Sequence, residues 1–463
     1  MKSACRAATP WLLAGMAYTV LTVLYLWPVV AHLSSAWPHD SSDPALSAAI
    51  LSWDAHQLPL TRAWWDAPIF WPMHGALSLS EHMLGISLLT TPLLWAGATP
   101  LTAYHVAFLC AFPLTALAAH ALAFTCLKRH DAACLAGCVF GFSPYRIAQL
   151  PHIQMLWAFG MPIALMALHK FLERRERRWL LVFGLAWLAQ ASFNGYFMLF
   201  LPVLLAAWVV WFARESKSLL PITLTWALAS LPLAPLLSGY ARFHTALAMS
   251  RAIEEIEQFS ADMTSVFTVS PDMILWHRLA DVEHGLEGAL FPGALALALI
   301  ATAALFAVVT PLAFEARNSP AWRVARTAAL ILSVLFLAAA ASVPVLGPWQ
   351  WTVGSGTVAS ARAINKPLSL SAALLVLGAL TFETFRSAWQ RRSLFGFYAS
   401  SAAVMLVMSW GPRPTLGGVH YLYRAPYYWW LALPGFSEVR VPARFGMLFV
   451  SASRRRRRSH SLT

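Results

Sequence analysis

Charge is what this sequence is short of. Only 11% of its 463 residues are Asp, Glu, Lys or Arg, against 59% hydrophobic, where a soluble domain carries about 25% charged residues. Too little polar surface is available to face water on every side, so a soluble globular architecture is excluded. Cysteine is scarce as well. Cys5, Cys110, Cys126, Cys134 and Cys138 lie in or beside apolar or basic segments, so no disulfide framework is expected. Cys134 and Cys138 share a helix face at i, i+4, a spacing that suits a metal, but packing as small apolar residues is the favoured role. No linker sets off a second soluble domain, and no short-period repeat stands out. The first apolar run, from Trp11 to about Leu33, shows no small-residue cleavage site, and reads as a retained first helix.

What the chain does have is tryptophan, with 22 copies. Indoles favour the membrane interface, where one edge is apolar and the other wet. The net charge of +13 fits Lys and Arg retained on the cytoplasmic side of a membrane better than a nucleic-acid partner. The fold class is therefore an all-α, polytopic transmembrane helical bundle of about 11–12 spans. A helix needs roughly 20 apolar residues to cross a hydrocarbon core about 30 Å thick. Spans are expected near 11–33, 103–126, 132–145, 154–172, 179–193, 196–212, 218–240, 289–313, 327–346, 367–385 and 394–411, with a further apolar run entered at Phe445. The segment 83–97 is short and contains Pro92; it reads as re-entrant or interfacial.

With that choice the basic clusters share one side: Lys2 and Arg6, Lys128 and Arg129, Arg174 to Arg178, Arg214 and Lys217, Arg317 to Arg326, and Arg386 to Arg392. The positive-inside rule makes that side cytoplasmic, and a bacterial plasma membrane is the expected location. The long loops, 34–102, 241–288, 347–366 and 412–444, then lie outside with most of the carboxylates, together with short links at 146–153 and Asn194-Gly195. The expected organisation is a seven-span core over 1–240, an outer loop over 241–288, further spans over 289–450, and an anomalous basic tail over 451–463. That tail, five consecutive arginines after a nine-residue apolar run, suits either a lipid-binding segment or a truncated end.

Residues able to do chemistry concentrate in the outer segments. Asp40 and Asp43 follow the first span directly, and a carboxylate at the bilayer surface can serve as general base toward a hydroxyl arriving from water; interfacial solvation is the other reading. His74, Glu81 and His82 share the loop. Glu81 and His82, with Asp43, could hold a divalent metal ion, although their spacing matches no established motif and structural hydrogen bonding competes. The link SPYRIAQLPHIQ packs Tyr145, Arg146, Gln149, His152 and Gln154 between apolar runs, a density of polar groups that is costly unless they face a cavity or one another. The acids and histidines of 241–288 read mostly as a solvated loop face, and His120 and Gln190 as satisfied helix-packing contacts.

The Asp-bearing loop after the first span, the long first outer loop and the run FGFSPYR closing the third span resemble the GT-C superfamily. Its members are polyprenyl-phosphate-sugar-dependent membrane glycosyltransferases, including protein mannosyltransferase and aminoarabinose transferase families. The likeness covers roughly residues 10–240. It implies transfer of a sugar from a lipid-linked donor to an acceptor on the outer face, with Asp43, or Asp40 as second choice, as base. The family pattern places a second acid in the link after the third span, where this sequence has Gln149, His152 and Gln154.

A leaving polyprenyl phosphate needs cationic partners. The outer-face candidates are Arg146, Arg362, Lys366, Arg440 and Arg444, with Arg440 and Arg444 four residues apart and each able to grip an anion with a planar fork; contact with lipid headgroups is the alternative. The competing function is a non-enzymatic polytopic protein, either a lipid or polysaccharide transporter or an inactive relative. Against the transporter, the midplane is poor in charge and no matching halves appear.

Overall fold

The computed structural model describes residues 2–214, 217–279, 286–309, 320–353 and 356–452. The five-arginine tail, Arg317, and the loop residues Asp281, Glu283 and His284 lie outside them. The described chain is mostly helical, and six of its helices are long and apolar enough to cross a membrane: Ala8–Tyr25, Pro100–Leu127, Ile153–Arg174, Gly195–Ala213, Leu219–Ala246 and Pro320–Leu346. The protein is thus an integral membrane protein by length and composition. Three further apolar helices, Leu84–Trp95, Asn365–Leu380 and Leu394–Ser409, are shorter.

Several expected spans take a different form. The run expected to cross at 132–145 is a 12-residue helix, His130–Gly141, about 18 Å long at 1.5 Å per residue. It packs on helix Pro100–Leu127, and at Gly141 a side chain would strike Ala116 of that helix. Leu84–Trp95 is equally short, with Ile86, Ser87, Thr90 and Thr91 buried and Leu88 and Leu89 exposed. The seventh expected core span, 218–240, runs on to Ala246.

The chain divides into two compact units, Met1–Ser250 and Arg251–Thr463. In the first, α1 (Lys2–Tyr25) leads through residues 26–41, which include a short helical turn at Trp27–Ala31, to α2 (Ser42–His56), the first long helix of the first loop. Then follow α3 (Leu84–Trp95), α4 (Pro100–Leu127), α5 (His130–Gly141), α6 (Gly160–Arg174), α7 (Arg177–Phe193), α8 (Gly195–Trp208), α9 (Leu219–Ser230) and α10 (Ala234–Ala246). Helix starts obey local chemistry. Thr99 caps α4 by accepting the Thr102 amide at 3.1 Å, with Pro100 at the first helical position, where its missing N–H costs nothing. Asn194 caps α8 by accepting from the Phe197 amide at 2.7 Å, so the Asn-Gly pair is a helix start.

Helix α4 sets the axis of this unit. At its C-terminal end Lys128 meets Glu173 of α6 at 3.3 Å, close to the Arg174–Arg178 cluster. Its N-terminal end carries Tyr104 beside Asp43 and the 143–157 link. Basic residues and candidate chemistry therefore occupy opposite ends.

In the second unit, α11 (Ala294–Val309) precedes the paired helices α12 (Pro320–Leu346) and α13 (Asn365–Leu380), which share a buried Ser333–Ser371 hydrogen bond of 3.0 Å. Between them lies an antiparallel hairpin, β1 (Trp349–Val353) and β2 (Gly356–Ala361). After α14 (Leu394–Ser409), a second hairpin, β3 (Thr415–Leu416) and β4 (Val419–His420), is pinned by Asp262, whose carboxylate accepts from the Gly417 and Gly418 amides, each at 3.1 Å.

Candidate functional site

Asp43 stands in the first turn of α2, where the helix dipole favours a negative charge. Its Oδ2 lies 3.2 Å from His152 Nε2, with the carboxylate half-exposed and the imidazole largely covered. Asp43 also lies near enough to the buried Tyr104 phenol to act on it electrostatically. The long first loop and the link after the third helical run are thus joined through Asp43 and His152.

Asp40 has a different job. Its Oδ1 accepts from the Ser42 amide at 3.0 Å and the Ser42 hydroxyl at 2.6 Å, while Oδ2 meets His39 at 2.8 Å. This is an Asx-type turn at the mouth of α2. The Ser42 bonds, then His39, hold the exposed carboxyl down at about 2, which makes it a weak base; the second-choice role is withdrawn.

Arg146, a candidate partner of the leaving phosphate, does not face the open loop but is fully buried. Its Nη2 donates to the carbonyls of Leu156 (3.0 Å) and Ala111 (3.5 Å), and the guanidinium sits 4.6 Å over the Phe112 ring. Nε and Nη1 have no partner, and among the described residues no carboxylate pairs with it. Burial draws it down to about 9, opposed by Tyr25 and Tyr145, so it stays cationic at neutral pH. Tyr104, Phe108 and Phe112 form a ladder along α4 with centroid separations of 6.0 and 5.7 Å. Asp43 lies at one end and Arg146 at the other, about 12 Å apart along the helix at 1.5 Å per residue.

The link is clamped from α7 and α8. Gln190 donates to the Trp157 carbonyl at 2.8 Å and accepts from the Met161 amide at 3.2 Å, and Asn194 donates to the Gln154 carbonyl at 2.7 Å. These bonds satisfy backbone groups in a stretch that is only partly helical. The side-chain Oε1 atoms of Gln149 and Gln154 are buried without a partner. Within this one link, Arg146, Gln149 and Gln154 all leave buried polar atoms without a partner, and such atoms call for a polar partner.

Glu81 and His82 are structural. Glu81 Oε2 accepts from the Gly195 amide at 2.8 Å, at the start of α8. His82 is fully buried with Nδ1 accepting from the Leu84 amide at 3.2 Å, and burial pushes its pKa down to about 3. No group of three His, Cys, Asp or Glu able to hold a metal occurs among the described residues. Asp43, Glu81 and His82 each serve other partners, so the expected donor set does not fit a divalent ion. His74 is exposed beside Asp66, at 3.5 Å.

In the second unit, Arg444 is buried in a two-pronged pair with Glu287, at 2.8 and 2.9 Å, and its charge is already matched. Arg440 stacks over Phe259 at 4.4 Å. The four-residue spacing is not realised as a helical face, because a short 3-10 turn at Pro442–Phe445 intervenes, and the paired anion grip is withdrawn.

One acid escaped the sequence reading. Asp54, in the last turn of α2, is buried, accepts from Trp64 Nε1 at 2.5 Å and is bonded to the Ser87 hydroxyl. Burial raises it to about 7 against both hydrogen bonds. The available signal was its spacing of eleven residues from Asp43, which returns to the same helix face after three turns. No protein-family profile, curated protein or solved structure matches this chain.

Proposed function

We propose that this protein is a membrane glycosyltransferase that moves a sugar from a polyprenyl-phosphate donor to an acceptor at the outer membrane surface. The observation that carries the reading is the 3.2 Å approach of Asp43 to His152, which joins the two segments singled out by the resemblance. In this mechanism Asp43 accepts the proton of the acceptor hydroxyl or amine as the acceptor attacks the anomeric carbon. The bond from that carbon to the phosphate oxygen breaks, and polyprenyl phosphate leaves with the electron pair. His152 donates Nε2–H to the carboxylate and holds its free lone pairs toward the acceptor. Arg146 supplies the buried positive charge at the far end of the aromatic ladder, where a phosphate can answer it.

The test is incubation of the purified protein with a panel of polyprenyl-phosphate sugars, with and without divalent ions, measuring release of polyprenyl phosphate. Turnover abolished by Asp43→Asn supports the proposal. Absence of turnover across the panel, with donor binding retained, would reassign the chain to a lipid-linked-sugar binder.

A further inference from the structure

The hairpin β1–β2 is amphipathic in the wrong medium for water. Residues i and i+2 of a strand share a face, so Trp351 and Val353 lie together, 66% and 65% exposed. The opposite face is polar: Gln350 donates to Thr357 Oγ1 at 2.7 Å and accepts from Arg362 at 3.3 Å. A lone two-stranded hairpin is marginal in water, and an exposed apolar face invites aggregation.

Its tethers say where that face goes. The hairpin starts just after α12 ends at Leu346 and stops just before α13 begins at Asn365. Helix α12 is long enough to span a bilayer, and past Thr327 its exposed side chains include Ile331, Val334 and Leu335. A hairpin held on such short tethers sits where the helices leave the hydrocarbon.

A second group of residues reaches the same end of α13. Asn365 donates to the His420 carbonyl at 2.9 Å and the Tyr423 amide to Ser369 at 2.8 Å, which fixes segment 420–430 there. Lys366 and Arg424 each lie 4.9 Å from the Tyr423 ring centre, Arg424 lies 4.0 Å from Tyr428, and Trp429 is 61% exposed. Aromatic rings interleaved with cations at the end of an apolar helix suit the headgroup layer, where indole and phenol prefer to lie and phosphate is available to the cations.

We propose that this end of the second unit is a docking surface for anionic phospholipid, with Trp351 and Val353 entering the acyl boundary and Lys366 and Arg424 holding headgroup phosphate. The test uses the full chain in vesicles of phosphatidylcholine with or without phosphatidylglycerol. An environment-sensitive fluorophore on Val353→Cys, the native cysteines replaced, should emit as in an apolar medium and be quenched by nitroxide-bearing lipid; water-like emission, indifferent to the quencher, overturns the insertion. In native mass spectrometry, K366Q/R424Q should lower the ratio of retained phosphatidylglycerol to phosphatidylcholine by about fivefold per charge removed. An unchanged ratio, or displacement of phosphatidylglycerol by inorganic phosphate, overturns the headgroup site. Insertion is read without altering either cation, so a misfolded double variant cannot mask failure.

Discussion

Asp43 and His152 meet at 3.2 Å beside Tyr104, near the N-terminal end of α4, whereas Lys128 and Glu173 meet at 3.3 Å beside its C-terminal end. One helix of 28 residues, about 42 Å long, therefore separates the reactive candidates from the basic belt. That polarity gives each candidate a testable consequence.

If Asp43 is the base, Asp43→Asn should leave the thermal midpoint near that of the parent and cut transfer by about 10²–10⁴-fold. His152→Gln acts through the same carboxylate, so the double variant should be little worse than Asp43→Asn alone, as expected for groups that work as a unit. Rates of polyprenyl-phosphate release for the two single variants and the double variant decide it. Independent, multiplying losses would separate His152 from Asp43.

Arg146 offers a prediction in which stability and binding part company. A buried charge without a counter-charge is expensive, and exchange for an apolar side chain of similar length is often neutral or stabilising. Arg146→Met should hold or raise the thermal midpoint while abolishing retention of polyprenyl phosphate. A fall in midpoint with binding intact would make the guanidinium a carbonyl clamp between Ala111 and Leu156 and nothing more.

The membrane class and most helices of the first unit were legible from apolar run length, and Asn194-Gly195 and the 146–153 link from their polar residues. Those signals are local. The fate of each charged group was not, because it depends on partners distant in sequence. Arg444 reads as free until Glu287 is found on it, and Arg146 reads as loop-facing until Phe112 and Leu156 enclose it. The run 132–145 has the composition of a span but forms the short helix His130–Gly141, because composition reports apolarity and not whether lipid or protein supplies the apolar surroundings.

Topology within the first unit can be checked by accessibility. In a chain lacking its native cysteines, Trp71→Cys in the first loop should react with an impermeant maleimide added outside intact cells, and Arg174→Cys only after permeabilisation. Trp71 is 85% exposed and Arg174 is exposed, so burial does not confound the readout. Reaction of both from one side would end the outer-face assignment of Asp43.

Packing of the first loop against α10 rests on Gly239, where a side chain would collide with the Trp65 ring. Gly239→Val should destabilise the first unit by about 1–3 kcal/mol, the cost of overpacking a filled site. The thermal midpoint reads the loss, and Trp65→Leu in the same chain should recover part of it by making room.

Asp54 makes stability depend on pH in a direction opposite to that of an ion-paired carboxylate. Its folded value of about 7 lies above its ordinary value of 3.8. Below pH 4 the group is protonated in both folded and unfolded chains. Between pH 4 and 7 the unfolded chain releases the proton while the folded chain keeps it, so stability falls as pH rises, by an amount on the order of 4 kcal/mol across the window. Above pH 7 both forms are ionised and the loss levels off. The neutral acid also fits the local bonds: Oδ1 accepts from Trp64, and a proton on Oδ2 can be donated to Ser87, whose hydroxyl passes its own to the Met83 carbonyl at 3.1 Å. Asparagine reproduces that pattern, with its amide donating to Ser87. Asp54→Asn should therefore fold and show a thermal midpoint flatter in pH than the parent over pH 4 to 7. Parallel curves for parent and variant would mean that Asp54 is ionised in the folded protein and that the burial argument fails.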